Sequence, residues 1–413
     1  MSELNLFVTT NGPGEVMGWA RPFLRAVYER EPRARVTVAV LPCPYATGKE
    51  TETLRSLFPN ATVLDPHAYG RFLVGRPVGG MERGSGLLQY LGGDLFHAKT
   101  IARRLGLRAM TYKFTKRSYA KTFERLYATD EGNAAEMRAM GAPPDRVRVV
   151  GNLVADAVVG SLERLPPPPG TGEGICIMPG SRPYELRHLT SFFMAAACEI
   201  ARLRPGTKIT FVVSPFNSDQ DLATAIEQPA DPSFSGVSGR FDAQARTMSV
   251  QGNTFAVDRS PDYQAVASSQ LVISIPGTKC MEAAVLGRAM LVVVPVNRVD
   301  EIAMNGVLGY IHRVPLIGLP FKRWAARKVA ERVTFFAQPN IDAGRIVAPE
   351  LRGFLQPLDV AQKAIAMLDD PHELRLQGET LAALYAPHVG AASRMADDVF
   401  AFAGRSAAQQ VAR

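Results

Sequence analysis

Three short stretches of this chain put small, polar and charged residues where a backbone could meet an anion. Met178-Pro179-Gly180-Ser181-Arg182 follows an apolar run and precedes a helical pattern. Gly, Ser and Arg at a helix N-terminus suit a diphosphate, because backbone N–H groups, a hydroxyl and a bidentate guanidinium can converge on it. A plain turn with an N-capping Ser leaves the arginine unexplained. Ile275-Pro276-Gly277-Thr278-Lys279-Cys280-Met281-Glu282 repeats the arrangement on a later run. Glu282 falls one helical turn beyond Thr278, on the same face, where a carboxylate can accept hydrogen bonds from vicinal ribose hydroxyls. As a capping-box partner of Thr278 it would stand one position too far along. Asn11-Gly12-Pro13-Gly14-Glu15 follows the first apolar run, but Met17 stands where a dinucleotide fingerprint needs its third glycine. A nicotinamide cofactor is therefore disfavoured, and an anion-binding loop and an ordinary strand-to-helix turn weigh about equally there.

Asp94 comes just after the run Leu87 to Leu91 and the pair Gly92-Gly93. At the carboxyl end of a strand it could act as a general base toward a hydroxyl, and it could equally serve as a helix N-cap, the commoner use. His97, one turn later, could orient or replace it; a solvated surface histidine is the simpler reading. Asp219 and Asp221 form a D-x-D, which reads better as the acidic start of a helix than as a metal site. The six histidines show no ligand spacing, so no metal is expected.

Positioning these groups requires strands. Apolar runs at Asn5 to Thr10, Arg35 to Leu41, Ala61 to Leu64, Gly86 to Leu91, Arg108 to Tyr112, Leu126 to Thr129 and Val147 to Val150 alternate with helical patterns. That rhythm predicts a parallel sheet covered on both faces. After the proline run 165–174 it restarts at Ile175 to Met178, with further strands at Lys208 to Val213, Phe255 to Val257, Leu271 to Ile275 and Met290 to Val294. The predicted organisation is an α/β domain over 1–164, a stiff linker over 165–174, a second α/β domain over 175–356 and a helical tail over 357–413, packing back toward the first domain.

The chain has 413 residues with 47 Lys/Arg against 39 Asp/Glu, and its four cysteines lie far apart, which excludes a disulfide scaffold. Between Arg71 and Asp130 there are twelve Lys/Arg against Glu82, Asp94, Glu124 and Asp130, so this stretch carries the whole excess of eight positive charges. Its partner should be a localised anion: a phosphate, an acidic lipid surface or nucleic acid. Lys113, Lys116, Arg117 and Lys121, interleaved with aromatics, are the candidates to meet it. Neither a secretory leader nor an apolar run of membrane-spanning length is visible, which predicts a cytoplasmic protein, soluble or peripheral to a membrane.

Taken together, these motifs resemble lipid-A-disaccharide synthase, a glycosyltransferase family with the two-domain GT-B fold. Val149-Val-Gly-Asn-Leu-Val-Ala-Asp-Ala157, the Met178 to Arg182 loop with Glu185, Gly277-Thr278 with Glu282, and the run Pro339-Asn340, Ala343-Gly344-Arg345, Pro349-Glu350-Leu351 carry the likeness. The first half departs from it: Pro13-Gly14-Glu15 stands where the family reads Ser-Gly-Asp, and Phe72 to Gly86 offers no counterpart of its apolar acceptor segment. The resemblance implies two Rossmann-like domains with parallel sheets facing a cleft. It implies a UDP-sugar, of GlcNAc type, bound in the second domain by Gly180, Ser181, Arg182, Gly277, Thr278, Glu282, Asn340, Arg345 and Glu350. Asp94 would activate the hydroxyl of a lipid or lipid-linked acceptor, with Gly14 and Glu15 beside it. Neither cofactor nor metal is implied. The basic stretch would then surround Asp94 and dock on an anionic membrane, on the inner face of the cytoplasmic membrane, which disfavours nucleic acid. A UDP-sugar 2-epimerase is the alternative enzyme, and a non-catalytic nucleotide or nucleic-acid binder the alternative outside enzymes.

Overall fold

The computed structural model describes residues 4–43, 46–84, 86–113, 117–180, 183–297 and 333–411. The chain divides into one unit of Met1–Ser161 with Ala386–Arg413 and a second of Leu162–Tyr385.

The first unit is built on β1 (Asn5–Thr10), β2 (Arg35–Val40), β3 (Thr62–Leu64), β4 (Leu87–Tyr90), β5 (Arg108–Tyr112), β6 (Arg125–Ala128) and β7 (Val147–Val149). They pair in parallel in the order β3-β2-β1-β4-β5-β6-β7. One face buries Leu6, Val8, Val38 and Met110; the other buries Phe7, Ala39, Leu88 and Leu126. Burial on both faces explains why these strands read as continuous apolar runs. The order turns back between β1 and β4, and in open α/β sheets ligands bind beyond the carboxyl ends of the strands at such a reversal.

The second unit repeats the plan with β8 (Ile175–Met178), β9 (Ile209–Val212), β10 (Arg240–Asp242), β11 (Thr247–Val250), β12 (Asn253–Asp258), β13 (Leu271–Ser274), β14 (Ala289–Pro295) and β15 (Glu350–Gly353). Their order is β10-β11-β12-β9-β8-β13-β14-β15, reversing between β8 and β13. All neighbours pair in parallel except within the β10-β11-β12 meander. The sequence reading missed β10, β11 and β15. These are short strands at or next to the edges of the sheet, with mixed burial, and they lack the apolar runs that mark the central strands.

Two boundary expectations change. The proline stretch is not a free spacer but docks on the second unit. Arg288, 1% exposed, donates to the carbonyls of Pro167 (2.5 Å), Leu286 (3.0 Å) and Ser269 (3.4 Å). The Glu173 N–H donates to the Ser268 carbonyl at 2.8 Å, and the Gln270 N–H to the Gly174 carbonyl at 3.0 Å. A proline run has no N–H groups to pair, but its carbonyls remain acceptors. The tail, expected as one piece over 357–413, is divided. Val360, Ala361, Ala364 and Leu368 of helix Pro357–Leu368 enter the second unit's core. Helix Pro371–Tyr385 packs on β14 and on helix Thr278–Val285 of the same unit. Only helix Ala391–Val411 joins the first unit, through Met395, Ala396, Val399 and Phe402. Asp156 pins its start by accepting from the Gly390 and Ala392 N–H groups, both at 2.5 Å. Each tail helix follows the core its apolar stripe can enter.

Candidate functional site

In the second unit, register brings three distant stretches to one height. Ser274 lies beside Met178 on one side and Val292 on the other, and Val292 lies beside Glu350. The loop after β8, the turn after β13 and the start of β15 therefore share the carboxyl edge of the sheet, and the first two flank its reversal. Gly180 has φ +127°, and a Cβ there would stand 2.6 Å from Glu185 Oε2, so the Glu185 side chain folds over a backbone only glycine fits. Ser181 and Arg182 lie outside the described residues. Gly277, at φ +139° and ψ −165°, is the N-cap of helix Thr278–Val285. Among the described residues nothing comes within 4 Å of where its Cβ would be. The first amides of this helix have no intrahelical partner.

With Gly277 as N-cap, Glu282 cannot belong to a capping box. Its side chain is 9% exposed and pairs with Lys279 Nζ at 3.2 Å. Asn340 and Glu350 take on a role other than direct ligand contact. Asn340 Oδ1 accepts from the Val347 and Ala348 N–H groups, both at 2.8 Å, while its Nδ2 donates to the Ala348 carbonyl (2.9 Å) and Glu350 Oε1 (2.7 Å). Glu350 also accepts from the Phe336 N–H (3.0 Å), the Ala337 N–H (2.9 Å) and Arg352 Nε (2.7 Å). Burial acts to raise its pKa, but these donors outweigh it and hold the carboxyl below its ordinary value. Both side chains clamp the loop ahead of β15. Arg345 is exposed and lines a 410 Å³ cavity with Lys363, Asp370 and Glu373, whose lining includes neither Gly180 nor Gly277. Ser218 and Asp221 form a capping box at the start of helix Asp219–Glu227, and Asp219 pairs with Arg259 at 2.5 Å.

In the first unit the loops after β1 and β4 flank the other reversal. After helix Pro13–Glu15 the chain makes a π-turn over Val16–Ala20 before helix Arg21–Arg30, a feature frequent at functional sites. Gly14 is exposed, and among the described residues nothing comes within 4 Å of where a Cβ on it would stand. The Glu15 side chain lies against Gly92, where an added Cβ would stand 3.0 Å from its Cγ. Asp94 caps helix Leu95–Leu105, accepting the Phe96 N–H at 2.9 Å, and is exposed. Tyr90 feels the charge of both carboxylates. Its OH donates to the Gly93 carbonyl at 2.6 Å, and burial, then the charges of Asp94 and Glu15, push its pKa up. His97 is not a solvated surface residue, because Tyr69 OH meets its Nδ1 at 2.6 Å. Burial pulls its pKa down against the opposing pull of Asp94.

The sequence reading missed the polar lining of this edge. Thr9 and Thr10 Oγ1, Asn11 Oδ1, Gln89 Oε1 and Thr111 Oγ1 are buried without a hydrogen-bond partner among the described residues. They cluster at the ends of β1, β4 and β5. Buried polar atoms are nearly always satisfied, so this group sets the edge apart from the apolar interior of the sheet. The one available signal was a Thr-Thr-Asn sequence closing an apolar strand.

The basic stretch does not surround Asp94. Helices that follow parallel strands run back to the opposite edge, so Arg71, closing helix Pro66–Leu73, and Arg103 and Arg104, closing Leu95–Leu105, stand at the amino edge. Arg104 donates to the carbonyls of Phe72 (2.8 Å) and Leu73 (3.0 Å). Arg108 pairs with Glu124 at 2.6 Å, and Arg125 with Asp398 at 3.2 Å. Lys113 follows β5 at the carboxyl edge, with Nζ 5.7 Å from the centroid of the Trp19 ring. Arg117 and Lys121 are exposed; Lys116 lies outside the described residues. Among the described residues no helix is long and apolar enough to cross a membrane.

No model of a known protein family matches the chain. It is 26% identical over 229 residues to a lipid-A-disaccharide synthase of Myxococcus xanthus (strain DK1622). That match covers 54% of this chain and 48% of the relative, so the chain spans about half the length of the curated relative it matches. Among solved structures, a Neisseria meningitidis UDP-GlcNAc 2-epimerase bound to UDP-GlcNAc superposes with a TM-score of 0.56 at 14% identity, over 96% of this chain and 99% of that one. The S. aureus MnaA–UDP co-structure superposes with a TM-score of 0.57 at 10% identity, over 97% of each chain. Two α/β units with open, mainly parallel sheets and a helical C-terminal region match the GT-B-like fold of these structures, the fold class expected from the sequence.

Proposed function

We propose that this chain is a glycosyltransferase that moves a sugar of GlcNAc type from a UDP-sugar to a hydroxyl of a lipid or lipid-linked acceptor. The observation that carries the reading is the pair of glycine turns flanking the β8/β13 reversal, with the half-buried Lys279 and buried Glu282 directly behind the second. The partial likeness to a lipid-A-disaccharide synthase and the fold shared with UDP-bound structures support it.

In this reading the diphosphate lies on the amides of the Gly180 loop and of Gly277 and Thr278, with Ser181 and Arg182 completing the cradle and Glu282 taking the ribose. Asn340 and Glu350 hold the loop ahead of β15, and Arg345 follows on that loop. The bond from the sugar's anomeric carbon to the diphosphate oxygen breaks, and its electron pair leaves on the diphosphate. The acceptor oxygen bonds to that carbon and yields its proton to Asp94, with Glu15 nearby. Donors aimed at the developing diphosphate charge are each worth about 2–4 kcal/mol. The donor is a substrate, and the reading needs neither cofactor nor metal. Lys113, Lys116, Arg117 and Lys121 are assigned to the acceptor or to the anionic membrane carrying it, on the cytoplasmic face.

Calorimetric titration of the purified chain with UDP, followed by UDP release from UDP-GlcNAc on adding a lipid extract, tests the reading. Tight binding lost in Arg182→Ala, with release that depends on the extract, is expected; failure to bind UDP refutes it. The epimerase reading draws on the full-length overlap with UDP-GlcNAc 2-epimerases. Inversion at C2 of UDP-GlcNAc without any acceptor, followed by NMR, would replace the first reading with this one.

A further inference from the structure

Lys279 occupies the second position of helix Thr278–Val285, and the first turn holds no acidic residue. A cation there opposes the positive end of the helix dipole and adds to the charge of the unpaired amides. The nearest compensation is Glu282, whose Oε2 meets Lys279 Nζ at 3.2 Å. The side chains are 22% and 9% exposed. The hydrogen bond shown for the Glu282 carboxylate among the described residues is the one Lys279 Nζ donates to Oε2, and the side chain is nine-tenths buried. Beside this pair, no described residue comes within 4 Å of where a Cβ on Gly277 would stand. Lys279 and the first amides therefore gather positive charge at this turn, and the Glu282 carboxylate, with one oxygen engaged by Lys279, keeps acceptor capacity.

We infer that the Lys279–Glu282 ion pair is an exchangeable latch within the donor site: a bound diphosphate takes the Lys279 ammonium, and the released Glu282 carboxylate accepts the nucleoside's ribose hydroxyls. This rests on the donor-site reading above and assigns Lys279 a part that the motif comparison left blank. An ammonium on a flexible stem can turn from carboxylate to phosphate by rotamer changes alone. The two halves of the ligand then assist one another, because the phosphate end frees the residue that the ribose end needs.

Calorimetry with uridine, UDP and inorganic pyrophosphate as separate probes tests the latch. Lys279→Met should weaken UDP and pyrophosphate by 10-fold or more, while uridine holds or tightens a few-fold because Glu282 is already free. Glu282→Gln should do the reverse, tightening pyrophosphate and weakening uridine. Lys279→Arg should retain most UDP affinity. Thermal melting of each variant confirms a folded chain. Equal losses for uridine and UDP in Lys279→Met would make the lysine a mere prop for Glu282 and overturn the latch, as would unchanged UDP affinity. A wild-type chain that binds neither UDP nor uridine overturns the donor-site reading itself, a result distinct from either of these.

Discussion

Gly277→Ala separates the backbone argument from the ligand argument at one position. Gly277 sits at φ +139° and ψ −165°, in a region that L-residues with a Cβ rarely enter. Among the described residues no atom lies within 4 Å of the added methyl, so the cost is conformational and not steric. Holding a non-glycine residue there costs about 1–3 kcal/mol, which lowers the melting temperature of a unit this size by roughly 2–12 °C. The methyl would stand on the turn that opens helix Thr278–Val285, where the diphosphate is proposed to lie. UDP affinity should therefore fall by at least 10-fold, measured by calorimetry well below the melting transition. Gly14→Ala is the control: Gly14 is exposed, has no positive φ and would meet nothing. Its melting temperature should stay within what about 0.5 kcal/mol produces. A destabilised Gly277→Ala that binds UDP normally refutes the placement of the diphosphate. An unaffected melting temperature refutes the strained turn.

Asp94→Asn keeps a good N-cap and should leave stability intact while turnover falls about 10²–10⁴-fold; Asp94→Ala should also lose about 1 kcal/mol of stability, and wild-type turnover in the Asn variant would remove Asp94 from the chemistry. Glu350→Gln replaces a carboxylate holding backbone N–H groups, Asn340 and Arg352, and should cost roughly 2–4 kcal/mol in chemical denaturation. Because the folded pKa of Glu350 is depressed, its contribution is complete above the ordinary carboxyl value of 4.5 and is lost as pH falls through the lower folded value. Glu350→Gln should flatten the acid limb of the stability–pH curve, and an unchanged limb would contradict the clamp. Charge reversal at Lys116, Arg117 and Lys121 should reduce activity that depends on anionic vesicles and spare UDP binding; the opposite pattern would move the basic residues to the donor side.

The strands that carry both candidate sites were legible because a strand buried on both faces must be apolar throughout, as in Val292, Val293 and Val294 of β14. Glycines at 180 and 277 were legible because a backbone that must expose its amides tolerates little else. Asp94 was legible as a cap and a candidate base at once, and its capping geometry is now visible; its chemistry awaits the variants. His97 was misjudged because its partner, Tyr69, is 28 residues away. Asn340 and Glu350 were taken for ligand contacts because a motif records residue types and not the bonds they already make.

From the sequence alone follow the two alternating α/β halves, the glycine turns that end β1, β8 and β13, and the concentration of charge between Arg71 and Asp130. Local backbone preference and apolar patterning act over a few residues and are written in order along the chain. Strand order is not local. Only the assembled sheets set the reversals at β1/β4 and β8/β13 and brought Glu350 level with Ser274. Only they divided the tail between two cores and docked the proline stretch on one of them. The charge shows why most plainly. A net charge adds up along the sequence, but what each charge meets depends on which edge of a parallel sheet its helix runs to. Arg103 and Asp94 share a sequence neighbourhood and stand at opposite ends of one helix.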